Sequence, residues 1–514
     1  MRCRLALGLF AALPLWSADA IVLDRSHESR VFHETRHYRI LLPPAYESSA
    51  IRYPVVYWFH GYGERFDDRS DELSDFVATN DVIIVKWDGS NGTSSRPYNV
   101  GPVETDRQFP QYFPELVSFI DANYRTIADR EHRAISGFSM GGFMSFWIAG
   151  KYPDLVSSTS SFMGSPEFVV GPRQFPVEYS HDVMSGNYGG VRTRLVTGSQ
   201  DFIQFYHRQM NRIWTRLPTH ETENFDSGHG VPGLAKTLAF HMHAFANPLP
   251  RPETWSHTDV YPNFSVWDWT VETDRHQPGF TRIGAASNTR FWSDVREWLP
   301  NGKVLPDVQL KITTAPIYKK NARIQVITET QNSSRRQHLK TDSSGRLHIA
   351  LNGGFSFVVI GKTPRTKRFS DLGFEAPAPL PVTTDFQIAD HRTFDFFQHA
   401  VEKESLTLGE GNADGHADPG ERIVILFPDN GGYRAAELFS SDACIDLTTR
   451  ISDNWASYDH VGASAKYTLA KISKTCPVGH VIRLRANVLF PNKPNHQLRE
   501  FSIEIPVRRT GLVP

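Results

Sequence analysis

Short, uninterrupted apolar runs alternate with amphipathic stretches through the first half of the chain. Residues 53–59 and 82–87 are runs of the first kind, as expected of strands buried on both faces of a parallel sheet. In residues 114–123, Leu116, Phe119 and Ile120 fall on one face of a helix. Residues 134–136 and 194–197 predict two further strands, each followed by a helical pattern. Strand and helix in alternation predict an α/β unit over residues 21–247, with a parallel sheet covered on both faces.

Beyond Asn247 the texture changes. Pro248, Pro250 and Pro252 interrupt any helix, and the following segments are β-branched and aromatic with frequent turn residues. Residues 323–328, 346–351 and 355–360 predict strands, and Asn352-Gly353-Gly354 predicts a hairpin turn between the last two. A proline-rich stretch at 375–381 reads as an extended connector. Residues 422–427, 481–485 and 501–505 again read as strands. The expected organisation is a leader over residues 1–20, the α/β unit over 21–247, a β-rich module over 248–364, a linker over 365–385, and a sandwich-like, immunoglobulin-like module over 386–514.

Composition narrows the class. The chain has 514 residues, 40% hydrophobic and 22% charged, which is the make-up of folded protein with more than one core. Its net charge is -1 with no long block of one sign, so nucleic-acid partners and anionic membrane surfaces are not expected. Arg2 and Arg4, an apolar stretch over residues 5–16 and Ala18-Asp19-Ala20 form the pattern of a secretory signal peptide. The apolar stretch is too short to span roughly 30 Å of hydrocarbon. A secreted or periplasmic protein with no membrane span is expected, its mature chain starting near Ile21. Once Cys3 leaves with the leader, Cys444 and Cys476 remain, and one disulfide is the simplest reading in an exported chain.

The sharpest motif is Gly137-Phe138-Ser139-Met140-Gly141, preceded by a strand pattern and followed by a helix pattern from Gly142 to about Lys151. A G-x-S-x-G turn lifts the serine hydroxyl above the sheet, and its glycines let strand and helix pack without a Cβ clash. A serine hydroxyl needs a base, and the base an orienting acid. In such folds the chain order is nucleophile, acid, base. Asp201 lies just past a strand end, and His229 sits in a glycine-flanked loop. His207, His220, His241 and His243 compete for the base, and Glu223 and Asp226 for the acid. The oxyanion of a tetrahedral intermediate needs backbone donors. The candidates are the amides of Met140 and of Tyr62, within Trp58-Phe-His-Gly-Tyr-Gly63.

Together, His60-Gly61-Tyr62-Gly63, Ile120-Asp-Ala-Asn-Tyr-Arg-Thr126, Gly137-Phe-Ser-Met-Gly-Gly142 and the Asp201/His229 pair resemble the esterase D-like superfamily of α/β-hydrolases. That superfamily includes feruloyl, acetyl xylan and enterochelin esterases and bacterial mycolyltransferases. The resemblance covers roughly residues 30 to 247. It implies an α/β-hydrolase domain, with Ser139 as nucleophile, Asp201 as acid and His229 as base. It also implies an acyl pocket built from residues 88–109 and from residues following Phe162-Met-Gly164. The expected activity is a serine carboxylic-ester hydrolase with an acyl-enzyme, acting on feruloyl, acetyl or other bulky polysaccharide esters and needing no cofactor for catalysis. The alternatives are an acyltransferase of the mycolyltransferase type and a surface-binding protein with an idle hydrolase domain.

Two features lie outside this reading. Glu410, Asn412, Asp414, His416, Asp418 and Glu421, with Gly415 at the turn, approximate a calcium-loop spacing. A structural calcium ion in the C-terminal module is one reading, an Asp/Asn/Gly-rich surface turn the other. Trp267, Trp269, Phe291, Trp292 and Trp298 could form a sugar-stacking platform or a packing core.

Overall fold

The computed structural model describes residues 19–89, 108–164, 167–175, 177–201, 203, 207, 214–215, 217–297, 299, 304–330, 333–361, 382–384, 386–398, 402–428, 435–440, 442–447, 465–490 and 497–508. The leader up to Ala18, residues 90–107 of the expected acyl-pocket loop, Trp298 and the connector at 375–381 lie outside the described residues.

Among the described residues, ten strands fall within the α/β unit: β1 (Ile21–Ser29), β2 (Glu34–Leu42), β3 (Val55–Phe59), β4 (Ile83–Trp87), β5 (Arg133–Phe138), β6 (Ser158–Phe162), β7 (Glu167–Val170), β8 (Val177–Ser180), β9 (Arg192–Gly198) and β10 (His220–Phe225). β7 and β8 form a small pair of their own, and the other eight make one sheet in the order β1-β2-β4-β3-β5-β6-β9-β10. From β4 to β10 the pairings are parallel. β1 and β2 enter antiparallel. This mixed edge departs from the all-parallel expectation, because β1–β2 is a hairpin whose alternating polar residues mask it in the pattern.

Among the described residues, four helices cover the sheet: α1 (Asp71–Thr79), α2 (Phe109–Asn123), α3 (Met140–Lys151) and, further along, Leu234–Ala246, here α4. α2 starts at Phe109 rather than Pro114. Pro110 sits in its first turn, where a missing N–H costs nothing. α2 and α3 close one core with Tyr57, Phe59 and Trp87. α1 and α4 close the other with Val56, Trp58 and Ile84. β3 and β4 are buried along their whole length, as uninterrupted apolar runs require.

The described residues of the next segment hold ten strands in two sheets: β11 (Trp255–Asp259), β12 (Phe264–Val266), β13 (Trp269–Thr273), β14 (Phe280–Ala286), β15 (Arg290–Arg296), β16 (Gln309–Thr313), β17 (Arg323–Glu329), β18 (Ser334–Lys340), β19 (His348–Asn352) and β20 (Ser356–Ile360). The sheets β11-β14-β15-β20-β17-β18 and β12-β13-β16-β19 share one apolar core. The hairpin expected at Asn352-Gly353-Gly354 is not formed. β19 pairs with β16, while β20 pairs with β15 and β17, so the chain crosses between sheets here. Gly353 donates to the Val308 carbonyl and accepts from the Val295 amide, and a Cβ on it would lie 2.0 Å from the Leu305 carbonyl oxygen. Trp267, Trp269 and Phe291 belong to the core rather than to a surface platform.

The α/β core does not end at Asn247. Val260, Tyr261, Phe280 and Leu299 are part of the same apolar cluster as α2 and α3. Lys151, the last residue of α3, makes a buried ion pair of 2.6 Å with Asp259. The Asn187 side chain donates to the Thr258 carbonyl and accepts from its amide, at 2.9 and 2.8 Å.

Past residue 382 the described chain is again strands. Gln387–Ala389, Arg422–Pro428, Ile445–Leu447 and Ala465–Ile472 form one sheet, and Ala435–Phe439, Val481–Phe490 and Gln497–Pro506 another. Cys444 and Cys476 are disulfide-bonded within the apolar cluster that joins these strands. Among the described residues, no helix is long and apolar enough to cross a membrane.

Candidate active site

Ser139 sits between the end of β5 and the start of α3 with φ 53° and ψ -115°, a backbone region that disfavours any Cβ. The surroundings enforce it. The Ser139 amide donates to the Phe162 carbonyl at 2.8 Å. A Cβ on Gly137 would lie 2.2 Å from the Gly141 carbonyl oxygen, and one on Gly141 would lie 2.1 Å from that of Phe59. The glycines of the motif are therefore demanded by the approach of β3, β5 and α3.

The parallel strands β3 to β10 present their C-terminal ends along one edge, where α/β sheets place their ligand crevice. Three of the expected side chains meet there. His229 Nε2 lies 2.9 Å from Ser139 Oγ, and His229 Nδ1 lies 3.0 Å from Asp201 Oδ1. The Asp201 carboxylate is fully buried and also accepts from the Ile203 amide at 3.1 Å. A buried carboxylate on Nδ1 leaves the Nε2 lone pair facing the serine hydroxyl, the state a general base needs.

All but one of the rival residues are engaged elsewhere. Glu223 is held by Lys236 and Arg194, whose cations lower its carboxyl below the usual range against slight burial. Asp226 accepts from Gln200 and Ser199. His241 bridges Ser158 and Ser160, and burial pushes its imidazole down to about 3. His220 pairs with Thr193 and burial brings it to about 4. His243 lies near the C-terminal end of α4, beside Asn247.

His207, the remaining competitor for the base, lies closer to the site than its sequence context indicates. It is fully buried, with Nε2 3.0 Å from the Gly164 carbonyl and Nδ1 3.8 Å from Asp201 Oδ2. Burial, outweighing the attraction of Asp201, pushes it down to about 4, so it faces the acid as a neutral ring. No sequence signal separates it from an ordinary packed histidine.

Of the oxyanion candidates, Met140 directly follows the serine. Met140 is the first residue of α3, so its N–H has no acceptor within the helix. The loop carrying Tyr62 is braced on both sides. Gly61 donates to Glu64 Oε2 at 2.8 Å. Buried His60 accepts from the Gly89 amide on Nε2 at 2.7 Å and places Nδ1 2.8 Å from the Gly61 carbonyl. Those partners select the neutral tautomer with the proton on Nδ1, and burial lowers the His60 pKa in the same sense. Tyr62 itself is 62% exposed.

The calcium-like loop is folded around a residue that the spacing did not reveal. Buried Asp390 accepts from the amides of Ala413, Asp414 and Gly415. Glu421 accepts from the amides of Asn412 and Asp418, Glu410 pairs with Arg422, and His416 faces Arg508. Burial, with Asp418 and Asp390 nearby, raises the Glu421 carboxyl above its ordinary value despite its backbone donors. Among the described residues, the one set of three Cys, His, Asp or Glu ligand atoms within 4.8 Å of one another is Cys444, Cys476 and His480. Its two cysteines are already bonded to each other.

Comparison with known proteins bears on the first unit. Two curated esterases, from Mycobacterium tuberculosis strains H37Rv and CDC 1551, are each 39% identical over 131 residues, covering 24% of this chain. The match spans 28% of each relative's length. Among solved structures, a ferulic acid esterase is 20% identical, covering 44% of this chain and 100% of its own, at a TM-score of 0.37. A ferulic acid esterase from Anaeromyces mucronatus is 21% identical, at 44% and 90% coverage and a TM-score of 0.36. An S-formylglutathione hydrolase from Staphylococcus aureus is 11% identical, at 44% and 100% coverage and a TM-score of 0.35. Residues 29–239, the part of the chain that carries Ser139, Asp201 and His229, match the family model described as "Putative esterase".

Proposed function

We propose that the chain is an exported serine carboxylic-ester hydrolase that works through an acyl-enzyme on Ser139. The observation that carries this reading is the continuous chain Ser139 Oγ, His229, Asp201 at 2.9 and 3.0 Å. His229 takes the hydroxyl proton as Ser139 attacks the ester carbonyl, and the Met140 and Tyr62 amides receive the developing oxyanion. His229 then returns the proton to the leaving alcohol. Water, deprotonated by the same ring, releases the acid. Asp201 holds the ring in the productive tautomer and stabilises the imidazolium.

The esterase-family match over residues 29–239 supports this chemistry. We infer feruloyl, acetyl or similar bulky polysaccharide-linked esters as the substrate class, with the two β segments as sandwich-like positioning modules, the last immunoglobulin-like. Feruloyl, acetyl and longer acyl esters assayed side by side test the class, and a preference for free short-chain esters without discrimination contradicts it. Adding a sugar alcohol distinguishes hydrolysis from acyl transfer: the transferase alternative requires a new ester product.

Calcium at the 410–421 loop is a separate proposal. Glu410, Asn412, Asp414, Asp418 and Glu421 offer the hard oxygen donors such an ion takes. Calorimetric titration with calcium decides it, and no heat together with no change in protease resistance leaves a polar turn held by Asp390.

A further inference from the structure

Three consecutive residues at the end of β6 each meet one member of the triad. The Phe162 carbonyl accepts from the Ser139 amide at 2.8 Å. Met163 Sδ accepts from the amide of Gly230, the residue after His229, at 3.2 Å. The Gly164 carbonyl accepts from His207 Nε2 at 3.0 Å, and His207 Nδ1 lies 3.8 Å from Asp201 Oδ2. A carbonyl only accepts, so Nε2 carries the proton of the neutral ring and Nδ1 stands bare towards the acid. At that distance and in that tautomer His207 abuts the carboxylate without drawing a hydrogen bond from it. Asp201 keeps its other oxygen, Oδ1, for His229 and the Ile203 amide.

The segment that makes these contacts is itself fixed. Phe162 and Met163 are fully buried, and the Met163 amide donates to the Val196 carbonyl on β9 at 2.9 Å. Met163 has a φ of 50°, left-handed backbone that a side chain disfavours and that persists only where the surroundings hold it. A Cβ on Gly164 would lie 2.6 Å from the Phe143 nitrogen, so its backbone rests directly on the first turn of α3, behind Ser139. A Cβ on Gly198, the last residue of β9, would lie 2.8 Å from Met163 Cε and 2.4 Å from the Ser227 carbonyl oxygen. The Met163 side chain therefore packs where the end of the acid's strand meets the loop of the base.

We propose that residues 162–164 form a common brace of the triad, with Met163 and His207 as its positioning residues: Met163 holds the loop of the base, and His207 backs the acid. Ser139, Asp201 and His229 follow three different strands, β5, β9 and β10, so their alignment depends on what their loops share. The inference rests on the esterase reading above and adds to it two side chains that set the rate. Neither touches a reacting atom, so losing either disturbs proton transfer rather than ester binding.

The test compares full-length wild type with three variants. His207→Phe keeps a ring and removes the donor, His207→Gln keeps an N–H for Gly164, and Met163→Leu keeps the bulk and removes the sulfur acceptor. kcat and KM for nitrophenyl acetate and the rate of fluorophosphonate labelling are measured well below the unfolding temperature of each protein. A neutral hydrogen bond of this kind corresponds to roughly a three- to tenfold change in an equilibrium constant. His207→Phe is expected to lose about tenfold in kcat and Met163→Leu about threefold, each with KM nearly unchanged and labelling slowed to match. His207→Gln should recover most of the loss. Residues that only fill the core would be served by Phe and Leu, which would shift the unfolding temperature and leave kcat alone. A kcat within about twofold of wild type in both His207→Phe and Met163→Leu overturns the inference and leaves the esterase reading standing. So does a His207→Gln protein as slow as His207→Phe. Should His207→Phe not fold, Met163→Leu decides by the same threshold. A wild-type protein that takes no fluorophosphonate overturns the reading on which the inference rests.

Discussion

Replacing Asp259 by asparagine keeps the shape of a buried side chain and removes the charge that balances Lys151. Lys151 is 8% exposed and Asp259 3%, so neither ion has water to fall back on. Burial alone would raise the Asp259 carboxyl, but Lys151 and His257 outweigh it and bring it from 3.8 to about 2. At about 1.4 kcal/mol per pH unit, a lowering of this kind is worth on the order of 2 kcal/mol of stability. Mutational experience with broken buried pairs gives a similar range, about 3–5 kcal/mol. Because the folded pKa is depressed, this contribution is fully present above about pH 4 and is lost as the pH falls towards 2. Urea unfolding, followed by loss of esterase activity, should show Asp259→Asn less stable by about 3 kcal/mol at pH 6. Wild type and variant should converge between pH 4 and pH 2. A double-mutant cycle with Lys151→Met isolates the pair, and a coupling energy under about 0.5 kcal/mol would refute the reasoning.

Further outcomes are expected at and beyond the site. Asp201→Asn should lower ester hydrolysis on the order of 10⁴-fold through the wrong His229 tautomer, and a larger loss from Glu223→Gln or Asp226→Asn would identify a different acid. Gly141→Ala pushes a methyl group to 2.1 Å from the Phe59 carbonyl oxygen and 2.7 Å from that of His60. At least a hundredfold loss of kcat/KM is expected, the scale of a lost oxyanion donor, and activity near wild type would show that the elbow has slack. Opening the Cys444–Cys476 disulfide, whose cysteines are 32 residues apart, should cost its module about 3–4 kcal/mol in the chain-entropy model. Limited proteolysis should then cut the C-terminal segment first while short-ester hydrolysis persists. Loss of both together would contradict that separation.

Much of the catalytic unit was legible because its chemistry and its packing use the same residues. β3 and β4 are apolar throughout, and the glycines around Ser139 are dictated by carbonyl contacts that any G-x-S-x-G turn must make. Asp201 and His229 could be placed from strand ends and chain order. β6 was not legible: Ser158-Thr-Ser-Ser-Phe162 carries buried hydroxyls where an apolar run is expected. Ser136, Ser160 and His241 satisfy that polarity across the chain, and local pattern cannot show it. The same limit hid the role of residues 257–261, whose partners Lys151, Asn187 and Gln108 lie 71 to 153 residues away. At Asn352-Gly353-Gly354 the turn chemistry was real but its geometry served a crossing between sheets. Asp390 was missed because it lies 23 residues before the loop amide it accepts from Ala413.

The most direct test of the central claim is the mass of the protein after exposure to a fluorophosphonate, with the adduct located by peptide sequencing. One adduct on Ser139 is expected, absent from Ser139→Ala, which should also lose ester hydrolysis on the order of 10⁶-fold. An adduct elsewhere, or Ser139→Ala activity within tenfold of wild type, would contradict the account.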